Sequence, residues 1–70
     1  MRIFVTGTTG YIGNQLMRAL LAEGHQIHTI LRDLSKRNRV ELPGVQVFKG
    51  DLTDAPSILK AMEGCEQVYH

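Results

Sequence analysis

Three glycines at a three-residue spacing, Gly7, Gly10 and Gly13, lie between a short apolar run and a helical pattern. No other feature constrains the fold of this chain as tightly. The run before them, Ile3-Phe4-Val5, is short and partly β-branched, and reads as a fully buried strand. Beyond them Ile12, Leu16, Ala19 and Leu20 recur at three- and four-residue steps, which predicts a helix with one apolar face. Gly24 closes that helix as the residue that takes the left-handed conformation without a Cβ penalty. A strand, a tight glycine turn and a helix in direct succession form the first half of a βαβ unit.

The rest of the chain continues the alternation. Gln26 to Leu31 reads as a second strand. The stretch from Arg32 to Pro43 is polar and basic, with a weak helical turn near Ser35 to Arg39. Pro43-Gly44 signals a turn. Val45, Val47 and Phe48 mark a third strand that ends at Lys49-Gly50. Asp54 before Ala55-Pro56 is the expected N-cap of a second helix, with Ile58, Leu59 and Met62 as its apolar stripe and Gly64 as its end. Gln67 to His70 begins a fourth strand. Strands that alternate with helices imply an α/β fold with a parallel sheet and right-handed crossovers. The expected architecture is the amino-terminal part of a Rossmann-type doubly wound parallel sheet, with strand order 3-2-1-4. Residues 1–70 therefore read as one incomplete domain that stops within a strand. Its last strand would be an open edge, for which self-association of the isolated chain is the expectation.

Bulk properties narrow the function classes. A chain of 70 residues buries only about 60% of its unfolded surface, so its core is marginal. One cysteine, Cys65, allows no internal disulfide and fits a reducing compartment. His25 and His28 are three residues apart and would face opposite sides of a strand, so no metal set is expected. Met1, Met17 and Met62 read as core or start residues. A net charge of +1 gives no drive toward nucleic acid or an anionic membrane. The basic stretch also lacks interleaved aromatic residues. The apolar runs are too short to span a bilayer, and the amino end lacks a signal-peptide core. A cytoplasmic setting is the default expectation.

The glycine turn carries the chemistry. Gly7 permits the tight exit from the strand, Gly10 lets the backbone approach a pyrophosphate, and Gly13 lets the helix pack closely. The helix amino end adds free N–H groups and a partial positive charge, with Tyr11 and Ile12 as donors. Thr8 and Thr9 offer hydroxyls to the same cradle. The context of strand, turn and helix makes this a dinucleotide-binding fingerprint. The end of the second strand bears on which dinucleotide. An acid is usual there for NAD, on the ribose 2′-hydroxyl. Arg32 stands in that place, and a guanidinium suits a 2′-phosphate instead. Lys36, Arg37 and Arg39 add positive potential. NADP is favoured. NAD remains open, because Asp33 takes the acid's role if the strand ends one residue later. A solvated basic loop is the plain alternative for the cluster. After the third strand, Asp51 either accepts from an adenine amino group or, with Thr53, helps start the next helix. Cys65 has no base in its local sequence and reads as an incidental thiol.

The stretch Thr6-Gly7-Thr8-Thr9-Gly10-Tyr11-Ile12-Gly13 resembles the TGxxGxxG turn of the extended short-chain dehydrogenases/reductases. That superfamily includes NAD-dependent epimerases/dehydratases and dihydroflavonol-reductase-like enzymes. Leu31-Arg32-Asp33 is similar to the strand end of NADP-using members, and Gly50-Asp51-Leu52-Thr53-Asp54 to their adenine-side motif. Gly64 to His70 resembles the approach to their fourth strand. The resemblance implies that Gly7, Thr9, Gly10, Tyr11 and Ile12 hold the pyrophosphate. It implies that Arg32, helped by Lys36, holds the 2′-phosphate, and that Asp51 and Leu52 touch the adenine. It also implies a Ser/Thr and a Tyr-x-x-x-Lys pair far beyond residue 70. Within this chain Tyr11 is followed at that spacing by Gln15, and Tyr69 is one residue from the end. The expectation is a segment that binds the cofactor and holds no catalytic residue. The full-length protein would act on a small molecule as a reductase or a sugar-nucleotide epimerase/dehydratase. The alternative is a dinucleotide-binding sensor without catalysis.

Overall fold

The computed structural model describes residues 1–69, so the part of the expected fourth strand at His70 lies outside the described residues. The chain runs β1 (Arg2–Val5), α1 (Tyr11–Ala22), β2 (Gln26–Leu31), a 3₁₀ segment (Leu34–Arg39), β3 (Val45–Lys49), α2 (Ala55–Met62) and β4 (Gln67–Tyr69). All strand pairs are parallel, and the order across the sheet is β3-β2-β1-β4. This is the doubly wound arrangement expected from the alternation of elements.

Strand alternation divides the core in two. Ile3, Val5, Ile27 and Leu31 point to one face, where they bury Met17 and Leu20 of α1 and Val40 beyond the 3₁₀ segment. Phe4 and Ile30 point to the other face and pack on Ala61 of α2, with Phe48, Ile58, Met62 and Cys65 at its margin. Helices therefore cover both faces, and strands β1 and β2 are buried along nearly their whole length. Such burial explains why these strands read as continuous apolar runs. His28 is the polar member of the second layer. Its Nδ1 lies 2.8 Å from the Ala61 carbonyl oxygen, an acceptor only, so Nδ1 carries the proton. Its ring tilts against Phe48 with centroids 5.0 Å apart.

Each helix buries part of the stripe that its periodicity suggests: Leu16 and Leu20 of α1 and Ile58 and Met62 of α2 pack on the core as expected. In α1, Ile12 is 81% exposed and Ala19 faces solvent, whereas Met17 is fully buried. In α2, Leu59 is 70% exposed and the small residue Ala61 lies against the sheet. Each helix holds more apolar residues than one stripe needs, so spacing alone does not set the rotation. Asp54 does occupy the N-cap of α2, but its side chain makes no capping bond. Ser57 holds this helix start instead. Its Oγ accepts from Asp51 N at 3.2 Å and lies within donating distance of the carbonyls of Asp51, at 3.2 Å, and Asp54, at 2.9 Å.

Gly24 and Gly64 end the two helices with positive φ, as read from the sequence. The rotation of α1 is testable by contrast. Met17→Ala should lower the unfolding free energy by about 2–4 kcal/mol, since it empties a filled core position. Ile12→Ala should change it by less than about 0.5 kcal/mol. Urea unfolding of both variants checks this, and equal effects would contradict the rotation seen here.

Candidate dinucleotide site

At the carboxyl end of β1 the chain turns through Gly7, whose φ of +68° favours glycine. The Gly7 carbonyl accepts from Gly10 N at 3.1 Å and closes the turn. Helix α1 then starts against that same carbonyl. A Cβ on Gly13 would collide with Gly7 O and would lie 2.6 Å from Gly7 C. Gly13 is thus required by the approach of the helix to the turn backbone, and the contact is with the turn more than with the sheet.

Below the turn sits a hydroxyl pair that sequence reading missed. Thr8 is 1% exposed, and its Oγ1 lies 2.8 Å from Oγ1 of Thr29 on β2. Thr29 donates to the Val5 carbonyl at 2.7 Å, so Thr8 supplies the proton between the hydroxyls. The Thr8 hydroxyl is therefore spent on the fold and is withdrawn from the cradle expected of it. Thr9 remains half-buried at the rim.

The amino end of α1 has no side-chain cap. The first bond into the helix runs from Asn14 N to Gly10 O at 2.9 Å, so the N–H groups of Tyr11, Ile12 and Gly13 precede the helical ladder. The side chains of Tyr11 and Ile12 are exposed. These donors and the helix dipole favour an anion at the turn.

An open groove of about 370 Å³ runs from this turn across the carboxyl edge of the sheet. Thr6 and Gly7 line it from the end of β1, Arg32 from the end of β2, and Asp51, Leu52 and Thr53 after β3. The expected cofactor residues Gly7, Arg32, Asp51 and Leu52 thus share one groove. Thr9, Gly10 and Tyr11 line a neighbouring groove on the outer side of the turn, with Asn14, Arg18 and Arg39. Lys36 borders neither groove and lies exposed on the 3₁₀ segment.

Two carboxylates are already committed locally. Strand β2 ends at Leu31, and Asp33 caps the 3₁₀ segment by accepting from Ser35 N at 2.9 Å. That backbone bond, with the Ser35 side chain and the Lys36 charge, lowers the Asp33 pKa against a small opposing effect of burial. Asp51 Oδ1 accepts from Thr53 N and Thr53 Oγ1, each at 2.9 Å. These bonds, and more weakly the Arg32 charge across the groove, lower the Asp51 pKa against desolvation. Of the two roles read for Asp51, the turn before α2 is realised through one oxygen.

Desolvation instead raises the pKa of Cys65, which donates weakly to Ala61 O at 3.7 Å. Among the described residues no group of three His, Cys, Asp or Glu side chains stands close enough to hold a metal. No helix among them is long and apolar enough to cross a membrane.

The fold and the groove define a protein of the Rossmann class with a glycine turn at the carboxyl edge of its sheet. The NmrA-like family model matches residues 1–70, and the chain belongs to that family, within the extended short-chain dehydrogenase/reductase superfamily. It is 41% identical over its whole length to sterol demethylase protein B of Methylococcus capsulatus, covering 21% of that protein. It is 37% identical to dihydroflavonol 4-reductase of Gerbera hybrida, over 97% of this chain and 21% of that protein. Its structure is similar to the crystal structure of vestitone reductase from alfalfa, Medicago sativa, with a TM-score of 0.79 and 32% identity, covering 99% of this chain and 24% of that one. The chain thus spans between a fifth and a quarter of the length of these proteins. Membership implies a nicotinamide dinucleotide cofactor.

Two expectations follow. Gly13→Ala should cost about 1–3 kcal/mol of stability, because its methyl group has only backbone to displace; denaturant unfolding measures it. Asp33 and Asp51 should titrate in carboxyl NMR with midpoints below 3.8. Since the folded pKa is depressed, both turns are fully formed above the ordinary carboxylate range. They loosen as pH falls through each lower value. Midpoints above 3.8 would contradict the bonds to Ser35 and Thr53.

Proposed function

We propose that this chain is the NADP(H)-binding segment of a reductase acting on a small molecule. One observation carries the choice of NADP over NAD. Arg32 lines the groove, while the acid beside it, Asp33, is engaged as a cap. A guanidinium there suits a 2′-phosphate and cannot accept a ribose hydroxyl. The relatives named as reductases support the activity class.

The turn fits the group in a second way. Gly10 has an ordinary φ of −82°, and an added Cβ would meet only Gly7 O, at 3.4 Å. The fold itself does not demand glycine at this position, whereas close approach of a pyrophosphate would. In this reading the backbone N–H groups of Tyr11, Ile12 and Gly13 hold the pyrophosphate, with Thr9 beside them. Asp51 and Leu52 form the adenine end, with the free Asp51 oxygen as acceptor and Leu52 as an apolar surface. Lys36 adds positive potential from the 3₁₀ segment. When bound, the nicotinamide supplies hydride chemistry, and this segment positions it.

Fluorescence titration of the intact protein with NADPH and NADH tests the reading. Arg32→Ala should weaken NADPH by about 10–100-fold, the scale of a lost charge-assisted contact, and leave NADH nearly unchanged. Equal affinity for both dinucleotides, unchanged by the substitution, would refute it. Gly10→Ala should weaken both while costing less than about 1 kcal/mol of stability.

A further inference from the structure

We propose that Asn14 is a positioning residue that fastens the basic segment to the glycine turn and thereby sets selectivity for a 2′-phosphorylated dinucleotide. The inference rests on the reading of Arg32 given above. Asn14 lies in the first turn of α1, and both ends of its amide are engaged. Nδ2 donates to the Thr8 carbonyl at 3.0 Å and to the Arg39 carbonyl at 3.0 Å. Oδ1 accepts from Arg18 Nε at 2.8 Å. Two acceptors on one side and a donor on the other fix the amide orientation. One side chain therefore joins the turn to the far end of the segment that carries Lys36, Arg37 and Arg39.

The two parts joined are not equally well held. The turn has its own ties, from Gly10 N to Gly7 O and from Thr8 to Thr29. The segment leaves β2 at Arg32, is capped at its start by Asp33, and has no buried residue of its own. Leu34 packs half-buried on the core at the segment's start, and the chain reaches a fully buried residue again at Val40. Arg37 pairs with Glu41 at 3.3 Å, which offsets part of its charge. Arg39 lines the outer groove beside Thr9, Gly10 and Arg18. Loss of Asn14 would thus free the cations from the turn and leave the turn intact. Contacts to phosphates shared by both dinucleotides would persist, and those to the extra phosphate would weaken.

The test is titration of NADPH and NADH into the intact protein and its Asn14→Ala variant. The expected result is an NADPH affinity about 5–10-fold weaker, with NADH within about two-fold of the parent. The retained NADH affinity also reports that the variant is folded. Asn14→Ser, whose one hydroxyl proton cannot bridge both carbonyls, should show the same split and serves if the alanine variant does not fold. Amide exchange of residues 35–40 should speed up in either variant. If both affinities are unchanged or fall together while Arg32→Ala still selects against NADPH, Asn14 has no such role and the NADP reading stands. If the parent protein binds both dinucleotides equally, the NADP reading fails and this inference with it.

Discussion

The contact between the Gly13 backbone and the Gly7 carbonyl sets the geometry from which the rest follows. It brings the amino end of α1 onto the end of β1 with no side chain between them. Three consequences come from that closeness. The N–H groups of residues 11 to 13 collect at one point of the sheet edge. The rotation of α1 is fixed, so Met17 and Leu20 meet Ile3, Val5 and Ile27. Asn14, the next residue, is carried over the turn within 3.0 Å of the Thr8 carbonyl. A larger residue at position 13 would lift the helix and disturb all three together.

The fold was legible because strands and helices of this chain are separated by strong punctuation. Gly7, Gly24, Pro43-Gly44, Gly50 and Gly64 lie at or close to element ends, and β2 runs from Gln26 to Leu31 as its sequence indicates. The buried faces of the helices were less legible. Positions 16, 17, 19, 20, 21 and 22 of α1 are all apolar, so several stripes satisfy the helical period. The choice among them is made by the glycine contact, which joins parts of the chain through space. In α2, Ile58 and Met62 pack on the layer of Phe4 and Ile30 as their spacing suggests, Ala61 joins them fully buried, and Leu59 is left exposed.

The candidate site divides along the same line. Gly7, Arg32, Asp51 and Leu52, the first three read from spacing and Leu52 from the family resemblance, line one groove, since a parallel sheet delivers every strand's carboxyl end to one edge. What spacing misses is a side chain whose partner is backbone. Thr29 answers to the Val5 carbonyl and the Thr8 hydroxyl, and Ser57 to the carbonyls of Asp51 and Asp54. Asn14 answers to a carbonyl 25 residues away. None of these holds a motif position that would mark it. Thr8 is the converse case. It stands in the motif beside Thr9, yet burial against β2 takes its hydroxyl away from any ligand.

These ties explain how one edge can be rigid for one phosphate and adjustable for another. The turn is held by backbone and by a buried hydroxyl pair, interactions that exposed substitutions nearby leave alone. The cations reside on an exposed 3₁₀ segment, whose short-range bonds hold it more weakly than a helix packed on a sheet. In the proposed reading, selectivity among dinucleotides rests on a few exposed residues and their anchors, and recognition of the pyrophosphate on the core. Changes in the first need not disturb the second, because among the described residues Asn14 is the one side chain seen to bond both parts.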